Sequence, residues 1–285
     1  MKSFAYKVAA ITGAGSGIGR ALALELARER CALALSDVND EGLAETAALA
    51  RLRGVKVTTA KVDVANREQM HTWADQVVRD HGKVNLIFNN AGVAHAGTVE
   101  GTSYEDYEWI TNINWWGVVH GTKAFLLHLK ASGEGHVVNI SSIFGLFAQP
   151  GMSAYNATKF AVRGFTESLR QELDLMNCGV SASCVHPGGI KTNIARDARL
   201  DASMQRLLGR ETGDSKKLFE KAFTTTAEQA AKKILAVVRR NGRRALIGAD
   251  ARMADGLQRV LPGSYQRLVT AALRVLRPAP RAVLE

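Results

Sequence analysis

Tyr155 and Lys159 stand four residues apart in the run Ser153-Ala-Tyr-Asn-Ala-Thr-Lys-Phe160, and on a helix that spacing puts a phenol and an ammonium on one face. A free phenol ionises near pH 10 and is a poor base at neutral pH, whereas a cation held beside it favours the phenolate and lowers that value. Of the chain's five tyrosines only Tyr155 has a lysine four residues later. The pair reads as a tyrosine equipped to act as acid or base. Alone it would be indistinguishable from an incidental Tyr and Lys on an exposed helix, so the elements that position it must be read as well.

A second set of residues lies near the N-terminus. Lys7 to Thr12 is a short apolar strand, and Gly13, Gly15, Gly17 and Gly19 crowd the turn into a helix with Ile18, Ala21, Leu22 and Leu26 on one side. Glycines let a backbone approach a pyrophosphate closely, and a helix N-terminus offers unpaired N–H groups and partial positive charge. The spacing, Thr12-Gly-x-x-x-Gly17-x-Gly19, departs from the usual Gly-x-Gly-x-x-Gly template. A second strand, Cys31 to Asp37, ends in an acid, where a dinucleotide fold needs a group for the adenosine ribose. A carboxylate there accepts from ribose hydroxyls and repels a 2′-phosphate, which favours NAD over NADP. Neither Val38 nor Ser16 supplies the cation a 2′-phosphate would want; Arg20 is the one candidate for it, ranked behind its reading as a solvated first-turn side chain.

With those residues in hand, the chain resembles the single-domain branch of the short-chain dehydrogenase/reductase family from about Lys7 to at least Thr192. The motifs agree in order: Thr12-Gly-Ala-Gly-Ser-Gly-Ile-Gly19, Asp63-Val64, Asn89-Asn-Ala-Gly92, Asn114, Ser141-Ser142, Tyr155-x-x-x-Lys159 and Pro187-Gly188. The resemblance implies a catalytic set of Asn114, Ser142, Tyr155 and Lys159, with Ser141 as the fallback for the serine. It implies cofactor contacts from Gly13, Ser16, Gly17, Ile18 and Gly19, from Asp37, and from Asp63 and Val64 at the adenine. Asn90, Ala91 and Gly92 leave room for the adenine-side ribose and pyrophosphate. Tyr155, Lys159, Pro187, Gly188, Ile190 and Thr192 complete the set. Asn114 resembles the asparagine whose local helix distortion holds a water in a proton relay.

The implied reaction is NAD-dependent interconversion of a hydrophobic secondary alcohol and its ketone. Tyr155 exchanges the hydroxyl proton, Lys159 lowers its pKa and holds the nicotinamide ribose, and Ser142 hydrogen-bonds the substrate oxygen. Two other readings stand beside it: an NADP-dependent carbonyl reductase, and a catalytically inactive nucleotide-sensing interaction protein. No metal is implied, because the histidines and cysteines have no ligand-like spacing.

The fold expected is α/β: one Rossmann-like, doubly wound domain over residues 1–250, a parallel seven-stranded sheet covered by helices on both faces, followed by a helical extension over 251–285. Strands are expected at Val55 to Val62, Asn85 to Phe88, Val137 to Ile140, Val180 to Val185 and Ala245 to Ile247. Cys31, Cys178 and Cys184 read as free thiols, the first strand leaves no space for a signal peptide, and no apolar run approaches the roughly 18 residues of a membrane span. A cytoplasmic enzyme is the expectation.

Leu200, Met204, Leu207 and Leu208 form one helical stripe, followed by Leu218, Phe219 and Phe223, and the family resemblance implies that residues 191–223 form a lid over the substrate. With Phe144, Phe147 and Met152 they suggest a greasy pocket, of which Phe144 and Phe147 are the substrate-binding candidates beside Ser142 and Tyr155. His95 reads as a surface-loop histidine. The net charge is +10, and from Thr226 onward twelve Lys or Arg stand against four Asp or Glu, so the basic character belongs to the tail. Two tail helices, Ala251 to Leu261 and Ser264 to Leu276, are separated by Pro262-Gly263. The second has Tyr265, Leu268, Val269, Ala272, Leu273 and Leu276 on one face. Packing against the fold or a second subunit ranks ahead of contact with a membrane surface, and nucleic acid ranks last, because no stacking aromatics interleave the basic residues. A homodimer through the helices carrying Asn114 and Tyr155, or a homotetramer, is expected.

Overall fold

Strand and helix alternate from the N-terminus in the computed structural model of the chain, which describes residues 1–209 and 223–276. The main strands are β1 (Val8–Thr12), β2 (Ala32–Asp37), β3 (Val57–Lys61), β4 (Leu86–Asn89), β5 (Gly135–Ile140), β6 (Val180–Pro187) and β7 (Arg244–Ile247). They form one parallel sheet in the order β7-β6-β5-β4-β1-β2-β3. Parallel neighbours need a crossover, and the helices α1 (Gly17–Arg28), α2 (Asp40–Arg51), α3 (Arg67–His81), α4 (Tyr104–Thr111), α5 (Gly117–Ala131) and α6 (Ser153–Met176) supply it. Beyond them lie α7 (Ser203–Leu208), α8 (Ala227–Arg239), α9 (Ala249–Val260) and α10 (Tyr265–Leu276).

Both faces of the sheet are buried, which is why β1 and β4 are apolar without alternation. One core cluster joins Leu22, Leu26, Leu33, Leu35, Ile234 and their neighbours on the face of α1, α2 and α8. The other joins Met70, Trp73, Phe125, Leu129 and Leu169 on the face of α3, α5 and α6, with the rings of Trp73 and Phe125 edge to face at 5.1 Å. The chain leaves β1 in one direction and returns to its other side at β4. This reversal opens a crevice at the carboxyl ends of the strands, where ligands of such sheets bind.

The expected seven strands are all present, with ends shifted by at most two residues. The two tail helices are present as well, although a boundary drawn at residue 251 falls inside α9. Leu200 leaves the expected helical stripe: Arg199–Leu200 pair in parallel with His95–Ala96, and α7 begins only at Ser203. Leu218 and Phe219 lie outside the described residues. Among the described residues no helix is long and apolar enough to cross a membrane.

Candidate active site

The first two turns of α6 bring Tyr155 and Lys159 to the crevice, and the end of β5 brings Ser142 to meet them. All three are buried. Lys159 Nζ lies 5.6 Å from the Tyr155 ring centroid and donates to the Ile140 carbonyl at 3.2 Å. Ser142 caps a short 3₁₀ turn, Ile143–Gly145, and accepts from the Phe144 N–H at 3.1 Å. Its neighbour Ser141 points away and donates to the Lys159 carbonyl at 2.7 Å, so Ser142 is the serine that faces the phenol.

The electrostatics differ from the sequence expectation. Burial pushes the Tyr155 phenol up to about 12, opposed only by the Ser142 hydrogen bond. Burial also pulls the Lys159 ammonium down to about 8, with Cys184 opposing it weakly. Desolvation disfavours the charged form of both groups and is the largest cause of both shifts. The expected lowering of the phenol by its neighbour is not present here.

Asn114 sits in a π-helical turn, Asn112–Trp116, that joins α4 to α5, and is fully buried. Its side chain accepts from the Val93 N–H at 2.8 Å and donates to the Val93 carbonyl at 2.9 Å, so it pins the loop after β4. A π turn shifts the backbone ladder by one residue and frees a carbonyl, the local distortion that the family resemblance implied.

The glycine turn after β1 is held by side chains rather than by ordinary loop contacts. Thr12 Oγ1 accepts from the N–H groups of Asn90 and Ala91, each at 3.0 Å, and the Asn90 amide donates to the carbonyls of Thr12 and Gly13 at 2.9 and 3.1 Å. Asn90 therefore shapes the turn, its amide spent on backbone. Gly13 and Gly17 have φ of +64° and +53°, and a Cβ on Gly19 would collide with the Gly13 carbonyl. The first turn of α1 carries no side-chain cap from Ser16, in contrast to α2, α3 and α4, which Asn39, Asn66 and Ser103 cap. Its N–H groups are left facing the crevice, as an anion-binding turn requires. Ile18 packs partly into the core.

Asp37 ends β2 over this turn, accepting from the Gly15 N–H at 2.8 Å and the Asn39 N–H at 2.9 Å. Arg20 is not solvated as expected: it clamps the carbonyl of Gly15 at 2.6 Å, Thr46 Oγ1 at 2.9 Å and Glu45 at 2.7 Å. Asp63 is exposed at the end of the next strand, where its carboxylate accepts from the Ala65 N–H, and Val64 is buried beside it. At Gly92 a Cβ would lie 3.0 Å from Asn114 Oδ1 and 3.4 Å from Lys159 Nζ, so this glycine keeps the space in front of the lysine open. Pro187 ends β6 and leads into Gly188, while Ile190–Lys191 pair with Thr225–Thr226. The Thr192 methyl reaches over Gly17 and closes the far side of the turn. These groups fit a nicotinamide dinucleotide: an uncapped helix end and side-chain-free turn for the pyrophosphate, a carboxylate for the ribose, and a lysine beside the reacting end.

The apolar wall next to Tyr155 contains Phe144, Met152, Ala94 and Ile110, with Phe147, Ile194 and Ala198 packed against them. Phe144 meets Tyr155 edge-on at 6.2 Å and Phe147 at 5.5 Å. Met204 and Leu207 of α7 lie over Gly151.

Two contributors lie outside the sequence reading, His186 and Asp250, and two others, Tyr265 and His95, take places it did not give them. His186, buried in β6, faces the Ser142 carbonyl at 3.0 Å. A carbonyl only accepts, so Nδ1 carries the proton, and burial lowers the ring to about 4, keeping it neutral. Asp250 accepts from the Gly189 N–H at 2.6 Å and fixes the loop after Pro187. Tyr265 of α10 reaches back to the loop after β5: its Oη accepts from the Ala148 N–H at 3.1 Å, and its ring meets Phe147 edge-on at 6.0 Å. His95 is buried rather than on a surface loop, 3.5 Å from Asp106, which Arg199 holds at 2.8 Å. Apart from the helical period that carries Tyr265, no local pattern announces these contacts, and those of His186, Asp250 and Tyr265 join segments far apart in the chain.

The family model for short chain dehydrogenase matches residues 7–203. A putative oxidoreductase SadH of Mycobacterium tuberculosis is 49% identical over 283 residues, covering 98% of this chain and 99% of the relative. Estradiol 17-beta-dehydrogenase 11 of Homo sapiens is 36% identical over 197 residues, 69% of this chain and 66% of that protein. A crystal structure of a short chain dehydrogenase/reductase from Burkholderia phymatum in complex with NAD superposes with a TM-score of 0.79 at 29% identity, covering 99% of this chain and 100% of that one.

Proposed function

Since the chain belongs to the short-chain dehydrogenase/reductase family and is an oxidoreductase of that family, we propose that it uses NAD to interconvert a hydrophobic secondary alcohol and its ketone. The observation that carries this reading is the convergence of Ser142, Tyr155 and Lys159 in one buried site, between the glycine turn and an apolar aromatic wall. When bound, the nicotinamide supplies hydride uptake and release. Gly13 to Gly19, Asp37, Asp63-Val64, Ala91-Gly92, Lys159 and the 187–192 loop would hold the dinucleotide, and the Asp37 carboxylate over the turn supports NAD over its 2′-phosphorylated form.

Ser142, kept in position by His186, hydrogen-bonds the substrate oxygen, where charge develops. Tyr155 exchanges the proton of that oxygen. With the phenol up to about 12 it is held protonated, ready to act as the acid in ketone reduction. In the other direction it must surrender its proton, and Lys159, lowered to about 8, is the neighbour through which that proton leaves. The π turn at Asn114 offers a freed backbone carbonyl for a water that carries it onward. Phe144 and Phe147 favour a lipophilic substrate by the area they bury. The exposed apolar side chains Trp116 at the end of the π turn, Leu127 in α5 and Phe160 in α6 support a homodimer or homotetramer formed through those elements.

The test is a panel of lipophilic secondary alcohols and ketones, followed by NADH absorbance, with the parent chain and Tyr155→Phe. The substitution is expected to lower turnover roughly 10² to 10⁴-fold while NADH affinity stays within a few-fold. A rate within a few-fold of the parent would remove Tyr155 from the reaction.

A further inference from the structure

The two tail helices carry the same doublet four times. Arg252-Met253 and Arg259-Val260 lie in α9, and Arg267-Leu268 and Arg274-Val275 lie in α10, each pair seven residues apart. Seven residues are nearly two helical turns, so the apolar members of each pair share one face and the arginines lie along its flank. All four apolar side chains point outward: Met253 is 74% exposed, Val260 77%, Leu268 51% and Val275 85%. The helices are seated by other residues, α9 by Ala251 and Ala254 and α10 by Tyr265. The packing expected for the tail thus seats α10 through Tyr265 but leaves Leu268 of the same expected face exposed, and with Met253, Val260 and Val275 it makes a second, uncovered stripe.

The charge around this second stripe is of one sign. Asp250 is turned inward onto Gly189, and Asp255 is shared by Arg244 and Arg259. Arg252, Arg267 and Arg274 face no carboxylate among the described residues. A second copy meeting this surface across a two-fold axis would set arginines against arginines with no acid between them. Nucleic acid would find no exposed aromatic ring in the stripe on which to stack a base. We propose that the exposed face of α9 and α10 docks on an anionic phospholipid bilayer, lying in its surface, with Met253, Val260, Leu268 and Val275 in the acyl boundary and the four arginines reaching back to the phosphates. Neither helix is long enough to span a bilayer, so the contact is peripheral. Tyr265 ties the same helix to Phe147, so the docked element is also the one that supports the proposed substrate wall. That link depends on the proposed activity; the docking does not.

The experiment is co-sedimentation of the full chain with vesicles of phosphatidylcholine alone, or with phosphatidylglycerol making up about a third of the lipid, at low and raised salt. The parent is expected to bind the anionic vesicles, less so in raised salt and weakly to phosphatidylcholine alone. Changing the four exposed apolar residues to Ser, or the four arginines to Gln, should each weaken binding roughly tenfold or more. Both sets should melt with the parent, and Val275→Ser, at the most exposed of the four, replaces the fourfold variant if that one melts early. A parent that stays in the supernatant with anionic vesicles overturns the proposal, as does a serine variant that binds them as well as the parent. If sedimentation velocity shows a parent oligomer that the serine variant breaks, with vesicle binding unchanged, the face is an interface between copies and the proposal also fails. None of these readouts uses turnover, so a wrong substrate class would leave them intact.

Discussion

The two walls of the crevice are made differently. The proposed cofactor wall is backbone: a strand end, a glycine turn and an uncapped helix start, all within residues 8–28, joined by short side chains such as Thr12 and Asp37. The proposed substrate wall is side chains, drawn from Phe144, Phe147 and Met152 after β5, from Ile194 and Ala198, and from Tyr265 more than a hundred residues beyond Phe147. A wall made of backbone tolerates almost no change, because adding one methyl group strikes a main-chain atom. A wall made of side chains can be repacked. The first suits a ligand common to a whole family, the second a substrate that differs between members.

The junction between the walls is the Tyr155–Lys159 pair, and the largest expected effect is its pH response. Alcohol oxidation needs the pair to lose a proton, so kcat/KM should rise about tenfold per pH unit below the lower of the pair's apparent values and level off near or above pH 8. Ketone reduction needs that proton and should run the opposite way. Profiles measured in both directions check this, and two curves that move together would break the assignment.

Gly19→Ala probes the cofactor wall itself. Its Cβ would collide with the Gly13 carbonyl and lie 2.6 Å from the Asn90 amide. Overpacking of about 1 to 3 kcal/mol corresponds to a loss of roughly 10 to 100-fold in NADH affinity, measurable by fluorescence titration. Asp37→Ala should act less strongly, about tenfold against NADH, and should narrow or reverse the preference over NADPH. Equal affinities in the parent would deny Asp37 its role. The smallest effect is expected at the substrate wall: Tyr265→Ala removes the ring behind Phe147 and should raise KM for a lipophilic substrate a few-fold, leaving NADH affinity unchanged. A change in NADH affinity instead would mean that the two walls are not separable.

Much of the cofactor wall was legible from local sequence. The strand before Thr12, the turn of glycines and the acid at the end of β2 are contiguous patterns that follow from backbone conformation and side-chain period. So are the helix carrying Tyr155 and Lys159 and the positions of the strands along the chain, whereas their order in the sheet is set by tertiary pairing. The substrate wall was legible only as apolar residues, since a core Phe and a pocket Phe have the same composition and period. Arg20 was misread for a related reason: its partners Glu45 and Thr46 belong to the next helix, and only docking of α1 against α2 brings them within reach.

By itself, the sequence determined which residues could handle a proton and where the backbone could take a dinucleotide, because both are set by spacing along one helix or one turn. Tertiary structure decided the rest. It turned Ser142 rather than Ser141 toward the phenol, fixed His186 behind it, and folded Tyr265 against Phe147. It also decided the direction of two pKa shifts. The spacing of Tyr155 and Lys159 says that the two groups share a helix face, but only the depth of their burial raises the phenol and lowers the ammonium.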